Sequence, residues 1–259
     1  MTGRIPTSIV TGATQGIGKA IALALLGAGN RVIAVGRSPE KLDALGAAAG
    51  GARARLVPEA IDIADGALFE KRLAGWVDRF GGIDHLVNAA GILVASRLLD
   101  TTREDRQAVF GTNLLATLDV TLAVARHMAA RRAGAIVTIG SNSGTTARAG
   151  LGAYPASKAG IIHAMKCLGL ELAEHGVRCN IVSPGSTNTE MQRQTQAATG
   201  GRDGILHGDL ATYRLGIPLG RMAEPDDVAD LVLFLLSERA RHITMENIVL
   251  DGGATLGAR

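Results

Sequence analysis

Tyr154 and Lys158 lie four residues apart in Tyr154-Pro155-Ala156-Ser157-Lys158, a spacing that puts a phenol and an ammonium on one face of a helix. A phenol titrates near pH ~10, too high to serve as a base at neutral pH unless something stabilises the phenolate. The neighbouring ammonium supplies one such charge, and a cationic cofactor ring beside it would supply another. A phenol tuned in this way can take the proton of an alcohol as hydride leaves its carbon. The same spacing is also an ordinary helix-surface pair, so the chemistry depends on what else the chain brings to it.

The first strand, Ser8-Ile9-Val10-Thr11, runs directly into Gly12-Ala13-Thr14-Gln15-Gly16-Ile17-Gly18, and a helical pattern follows over Lys19 to Ala28. Glycines between a strand and a helix let the backbone turn tightly and approach a pyrophosphate, which the helix N-terminus attracts through its unpaired N–H groups. A dinucleotide is therefore the expected cofactor. The second strand, Arg31 to Val35, ends in Gly36-Arg37-Ser38. An acidic residue at that end would accept hydrogen bonds from the adenosine ribose, whereas Arg37 can pair with a 2′-phosphate or remain a solvated loop residue.

Further along, a third strand over about Ala54 to Ile61 stops at Asp62-Ile63, where Asp62 either meets the adenine amino group or caps the next helix, Asp65 to Phe80. A fourth, Ile83 to Val87, leads into Asn88-Ala89-Ala90-Gly91, small enough to let a cofactor ribose come close. One long helix from about Arg103 to Arg131 carries Asn113 among apolar neighbours, where its amide needs a buried partner. The fifth strand, Ala135 to Ile139, brings the hydroxyl of Ser141 to the carboxyl edge of the sheet. Helix Tyr154 to His175 feeds strand Val177 to Val182, which Pro184 and Gly185 end before Ser186-Thr187-Asn188-Thr189. The polar, weakly periodic segment at about 188–214 reads as a helical lid, and helix Pro225 to Ser237 precedes a last strand at Asn247 to Leu250. The sum is a single-domain α/β fold, a doubly wound parallel sheet of about seven strands with helices on both faces.

Composition agrees. The chain of 259 residues is 47% hydrophobic and 3% aromatic, enough to bury a large core, and its 34 glycines suit many strand-to-helix turns. The net charge of +3 is scattered, with no basic block and no aromatic ladder, which argues against nucleic acid as a partner. Met1 to Pro6 lacks the apolar core of a signal peptide and no apolar run approaches the ~20 residues of a membrane span, so a cytoplasmic location and no membrane partner are expected. Cys167 and Cys179, in apolar surroundings, read as reduced core thiols, and the six histidines form no metal-ligand spacing, so no metal is expected.

Thr11-Gly12-x3-Gly16-Ile17-Gly18, Asn88-Ala89-Ala90-Gly91, Asn113, Ser141, Tyr154-x3-Lys158 and Pro184-Gly185 recur in order over nearly the whole chain, which resembles the short-chain dehydrogenase/reductases. Segments such as Lys166–Glu174, Val182–Thr187, Glu190–Gln192, Leu215–Leu219 and His242–Met245, with the tail from Asp251 to Gly257, are similar to the 2,3-dihydro-2,3-dihydroxybenzoate dehydrogenases of catecholate siderophore synthesis. The resemblance implies the catalytic set Asn113, Ser141, Tyr154 and Lys158. Tyr154 is then the general base, Lys158 its electrostatic partner and a ribose ligand, Ser141 the hydroxyl that orients the substrate oxygen, and Asn113 the holder of a helix break and of a relay water. The cofactor contacts would be Gly12, Thr14, Gln15, Gly16, Ile17, Gly18, Arg37, Asp62, Ile63, Asn88, Ala89, Gly91, Pro184, Gly185, Thr187 and Thr189, the last at the nicotinamide carboxamide.

The implied reaction is NAD(P)-dependent oxidation of a carboxylated cyclohexadiene-diol that then aromatises. That subfamily commonly carries Asp at the end of the second strand and uses NAD, whereas Gly36-Arg37 here favours NADP. Arg148, in the loop between Ser141 and Tyr154, is the candidate for the substrate carboxylate, with Met191 and Gln192 covering the ring. A dihydro-hydroxyanthranilate dehydrogenase and a general 3-ketoacyl reductase share the catalytic residues and stand as alternatives, as does a binding protein that keeps the fold without turnover. The resemblance also implies a homotetramer built on the long helices and the C-terminal segment.

Overall fold

A computed structural model of the chain describes residues 4–195 and 201–257. Seven strands form one sheet, β1 (Thr7–Thr11), β2 (Arg31–Gly36), β3 (Leu56–Ala60), β4 (His85–Asn88), β5 (Gly134–Ile139), β6 (Val177–Pro184) and β7 (Asn247–Leu250). Their order is β3-β2-β1-β4-β5-β6-β7, and every pairing is parallel. The chain winds outward from β1 to β3, then returns past β1 to start β4. Strand order reverses there, and ligands of open α/β sheets bind in the crevice outside the carboxyl ends at that point.

Alternation along each central strand divides the core into two layers, because successive side chains point to opposite faces. Ile9, Ile33, Leu86 and Ile136 pack on one face with Phe69, Trp76, Val120, Met128 and Ile161, which lie on α3 (Gly66–Phe80), α5 (Thr117–Arg131) and α6 (Tyr154–Ala173). Val10, Val32, Val87 and Val137 pack on the other with Ile21, Leu25, Leu45 and Val232. Those come from α1 (Gly16–Gly27), α2 (Pro39–Ala48) and α9 (Pro225–Leu236). The other helices are α4 (Arg103–Phe110), α7 (Glu190–Thr195) and α8 (Gly201–His207).

Four expectations change. The single helix over Arg103 to Arg131 is instead α4, a π-helical turn at Gly111–Ala116, and α5. The Thr117 hydroxyl donates to the Thr112 carbonyl at 3.0 Å, satisfying an oxygen in the widened turn, and Asn113 sits inside it. By length and composition the combined run is apolar enough to cross a membrane, contrary to the sequence reading, and half of its most apolar window is buried. The core residues of that run pack beside α3 and α6. Cys179 is buried, but Cys167 is exposed, because on α6 it lies off the stripe formed by Ile161, Met165, Leu168 and Leu172. Asp65, not Asp62, caps α3, its carboxylate accepting from the Leu68 N–H at 3.0 Å. The segment expected to form a lid contains α7, α8 and a 3-10 turn at Leu210–Thr212, while residues 196–200 of it lie outside the described residues, as do residues 1–3 of the N-terminal stretch read for a signal peptide.

Candidate active site

The strand-to-helix turn after β1 is shaped by backbone conformations that favour glycine. Gly12 and Gly16 have φ of 66° and 50°, and a Cβ on Gly12 would lie 2.7 Å from the Ala90 backbone. A Cβ on Gly18 would strike the Gly12 carbonyl. The Gln15 side chain makes no capping bond to α1, so the first turn presents N–H groups to the cleft. These features fit a dinucleotide, because a turn without side chains at these glycines packs tightly and leaves its backbone N–H groups open to a pyrophosphate. Thr189, which caps α7 by accepting from the Gln192 N–H at 3.2 Å, closes over this turn; a Cβ on Gly16 would lie 3.2 Å from its methyl group.

One cleft of about 430 Å³ runs along the carboxyl edge of the sheet. It is lined by every predicted site residue except Asn88 and Asn113. At the adenosine end Arg37 faces Asp62 at 3.9 Å, and the Lys41 ammonium donates to Gln15 Oε1 at 2.6 Å. Asp62 also accepts from the Ala64 N–H at 3.0 Å. A Cβ on Gly36 would lie 2.5 Å from the Thr14 methyl group, so an acidic side chain cannot be seated there without displacing Thr14.

Asn88, expected at the cofactor, turns inward instead. Its amide nitrogen donates to the hydroxyls of Thr121 at 2.8 Å and Thr138 at 3.0 Å, tying β4 to α5 and β5. The backbone following it reaches the cleft through Ala89, Ala90 and Gly91. Asn113 lies behind the cleft as a positioning residue. Its oxygen accepts from the Ile92 N–H at 2.8 Å while its nitrogen donates to the Ile92 carbonyl at 2.9 Å and to Ser157 Oγ at 3.1 Å. The widened helical turn thereby clamps the loop after β4 to the first turn of α6.

The start of α6 brings Tyr154 and Lys158 into the cleft. Tyr154 and Ser141 line the cleft together, and Ser141 Oγ lies 2.8 Å from Ser143 Oγ. Lys158 Nζ donates to the Ile139 carbonyl at 2.8 Å and sits 5.7 Å from the centre of the Tyr154 ring. Burial pushes the phenol up to about 12, partly offset by the Ser141 side chain, and pushes the ammonium down to about 8. The phenol thus stands above its ordinary value although Lys158 lies next to the ring.

Arg148 lines the cleft and donates to the Ala254 carbonyl at 3.3 Å; Met191 and Gln192, on the first turn of α7, line it as well. Two further cations line it that the sequence did not single out, Lys41 and Arg214. Lys41 was within reach of a sequence argument, since it stands four residues beyond Arg37 in the first turn of the next helix. Arg214 carried no such signal.

Residues 12–255 match the family described as enoyl-(acyl carrier protein) reductase. A 2,3-dihydro-2,3-dihydroxybenzoate dehydrogenase of Bacillus subtilis (strain 168) is 43% identical over 96% of this chain and 96% of its own. A vibriobactin-specific 2,3-dihydro-2,3-dihydroxybenzoate dehydrogenase of Vibrio cholerae serotype O1 is 41% identical over 96% of this chain and 95% of its own. The solved structure described as ElxO with NADP bound superposes with a TM-score of 0.87 at 26% identity, covering 97% of this chain and 99% of that one. With its parallel sheet, its glycine turn and its Ser141-Tyr154-Lys158 grouping, the chain belongs to the short-chain dehydrogenase/reductase family.

Proposed function

We propose that this protein oxidises 2,3-dihydro-2,3-dihydroxybenzoate to 2,3-dihydroxybenzoate with a nicotinamide dinucleotide, as a step of catecholate siderophore synthesis. The observation that carries the reading is the likeness, at 43% identity and nearly full length, to a dehydrogenase of that name. When bound, the oxidised cofactor accepts hydride from the carbinol carbon. Tyr154 Oη takes the hydroxyl proton, Ser141 holds the same oxygen, and the Lys158 ammonium stabilises the phenolate and hydrogen-bonds the cofactor ribose. Asn113 keeps the Ile92 loop in register with that group. The ketone formed is a tautomer of an aromatic diol, so aromatisation draws the reaction forward. Arg148 binds the substrate carboxylate, and Met191 and Gln192 cover the ring.

For the cofactor we favour NADP. Arg37, Lys41 and Ser38 surround the end of β2, and the space at Gly36 that an acidic residue would need is filled by Thr14. We further propose a cytoplasmic homotetramer, supported by exposed leucines at 115 and 122 on the long helical run, 57% and 36% exposed. The test is formation of reduced cofactor, followed by absorbance, with the dihydrodiol and each of NAD and NADP, coupled to chromatography of the product. 2,3-Dihydroxybenzoate formed in step with reduced cofactor is the expected result. Turnover confined to an amino-substituted dihydro ring or to 3-ketoacyl thioesters would replace this reading with one of those reductive or oxidative alternatives.

A further inference from the structure

Arg148 and Arg214 border the same space. Both line the catalytic cleft with Ser141 and Tyr154, and both also line a smaller cavity that adjoins it beside Ala254 and Ile217. The Arg148 loop is held at its end by the bond to the Ala254 carbonyl. Arg214 is fixed through its backbone, which exchanges two hydrogen bonds with Asp209, each at 2.9 Å. The turn between them is tight. Tyr213 is in the left-handed region at φ 54°, Gly208 at φ 93° and Gly216 at φ 82°, and a Cβ on Gly208 would lie 2.7 Å from the Arg214 carbonyl. A loop with so little backbone freedom holds the Arg214 side chain over the cleft at low entropic cost.

The two guanidiniums are half-buried and close enough for the charge on Arg148 to disfavour that on Arg214, beyond what burial does. Asp251 faces Arg148 and Asp209 faces Arg214. Asp251 is already engaged, accepting from Asn142 Nδ2 at 3.2 Å, the Thr255 hydroxyl at 2.7 Å and the Gly253 N–H at 3.0 Å. Two like charges held together in partly desolvated surroundings are stabilised by an anion that reaches both. We propose that Arg148 and Arg214 form one two-guanidinium clamp for the substrate carboxylate, with Arg214 a specificity-determining residue for the carboxylated ring. The proposal rests on the substrate reading given above, and it makes the loop 208–216 part of the binding site.

The test compares the Arg148→Met, Arg214→Met and double variants on the carboxylated dihydrodiol and on the corresponding diol without the carboxylate. Each single variant should raise KM for the carboxylated substrate about tenfold or more, with a smaller change in kcat, while the carboxylate-free diol loses less than about threefold. The double variant should lose less than the product of the two, because both residues hold the same group. Arg214→Lys, which keeps the charge without the planar fork, should fall between wild type and Arg214→Met, and it replaces that variant if the latter melts early. Calorimetric titration of 2,3-dihydroxybenzoate and of catechol into cofactor-loaded protein reads binding without turnover. If wild type oxidises neither diol, the substrate reading fails, and the calorimetry alone then judges the clamp. Weakening of 2,3-dihydroxybenzoate but not catechol in Arg214→Met sustains it. Equal losses on both ligands, or no loss, overturn it.

Discussion

The two ends of the parallel sheet treat buried charge in opposite ways. At the amino end Asp84 is saturated. It pairs with Arg4 and, at 3.3 Å, with Arg131, and it accepts from the Thr7 N–H at 2.7 Å. Nearby, Arg178 donates to the carbonyls of Leu236 at 3.1 Å and Ser237 at 3.2 Å, where the C-terminus of α9 leaves oxygens unpaired. At the carboxyl end Tyr154 and Lys158 are enclosed with their charged forms penalised, and among the described residues no carboxylate compensates the ammonium. The amino end is arranged for stability, whereas the carboxyl end gives stability up where the cleft opens.

The largest effect expected from breaking this contrast is at Tyr154. Tyr154→Phe should lower kcat by at least ~10²-fold, the low end for loss of a general base, while fluorescence titration still detects cofactor binding. With the phenol pushed up to about 12, its ionised fraction grows with pH, so wild-type oxidation should accelerate between about pH 6 and 8, whereas the residual rate of the Phe variant stays flat. Near-wild-type turnover of that variant would remove Tyr154 from the mechanism.

Asp84→Ala acts on the other end. It strands two guanidiniums that are about one-third exposed, so the cost is below that of a fully buried pair, roughly 2–3 kcal/mol in chemical denaturation. KM values should be unchanged, since no cleft residue touches Asp84. A change in KM without loss of stability would show that the two ends are coupled.

Smaller again is the cofactor end of the cleft. Arg37→Ala should weaken NADP by about tenfold and spare NAD, as expected for one exposed charge-assisted contact to a 2′-phosphate. Equal weakening of both cofactors, measured by titration, would assign Arg37 to the loop and not to the phosphate.

The smallest effect on stability has the opposite sign. Lys158→Met should abolish most activity and yet stabilise the protein by about 1 kcal/mol at pH 7, since it removes a desolvated charge but also the donor to the Ile139 carbonyl. The folded pKa of Lys158 lies at about 8, below its ordinary 10.5, so the unfolded chain binds the proton more tightly between those values. The stability difference between variant and wild type should therefore be full below pH 8 and shrink as pH rises through 8 to 10.5, measured by melting across that range. A variant less stable than wild type at neutral pH would mean that the Ile139 bond outweighs the burial of charge.

Features that depend on near neighbours were legible in the sequence. Strand-turn-helix order places Gly12, Gly16 and Gly18 at an anion-binding helix start, and four-residue spacing places Tyr154 and Lys158 together, because both are properties of a few consecutive backbone torsions. The resemblance to a known family extended this to Ser141 and Asn113. Features that depend on which way a side chain turns, or on what lies against it, were not. Asn88 shares a strand end with cleft residues, yet the pleat sends its amide into the core towards Thr121 and Thr138.

Cys167 has apolar neighbours in sequence but falls outside the buried stripe of α6. Arg214 reaches the cleft only because glycines at 208 and 216 and a left-handed Tyr213 fold its loop back across the sheet edge. The sequence determined by itself the doubly wound order of elements and the spacing that sets Tyr154 and Lys158 on one helix face, since hydrophobic periodicity and local spacing suffice for both. Only the tertiary structure decided how strongly the phenol and ammonium are desolvated and which cations share their cleft, because burial and the approach of distant segments are sums over the whole chain.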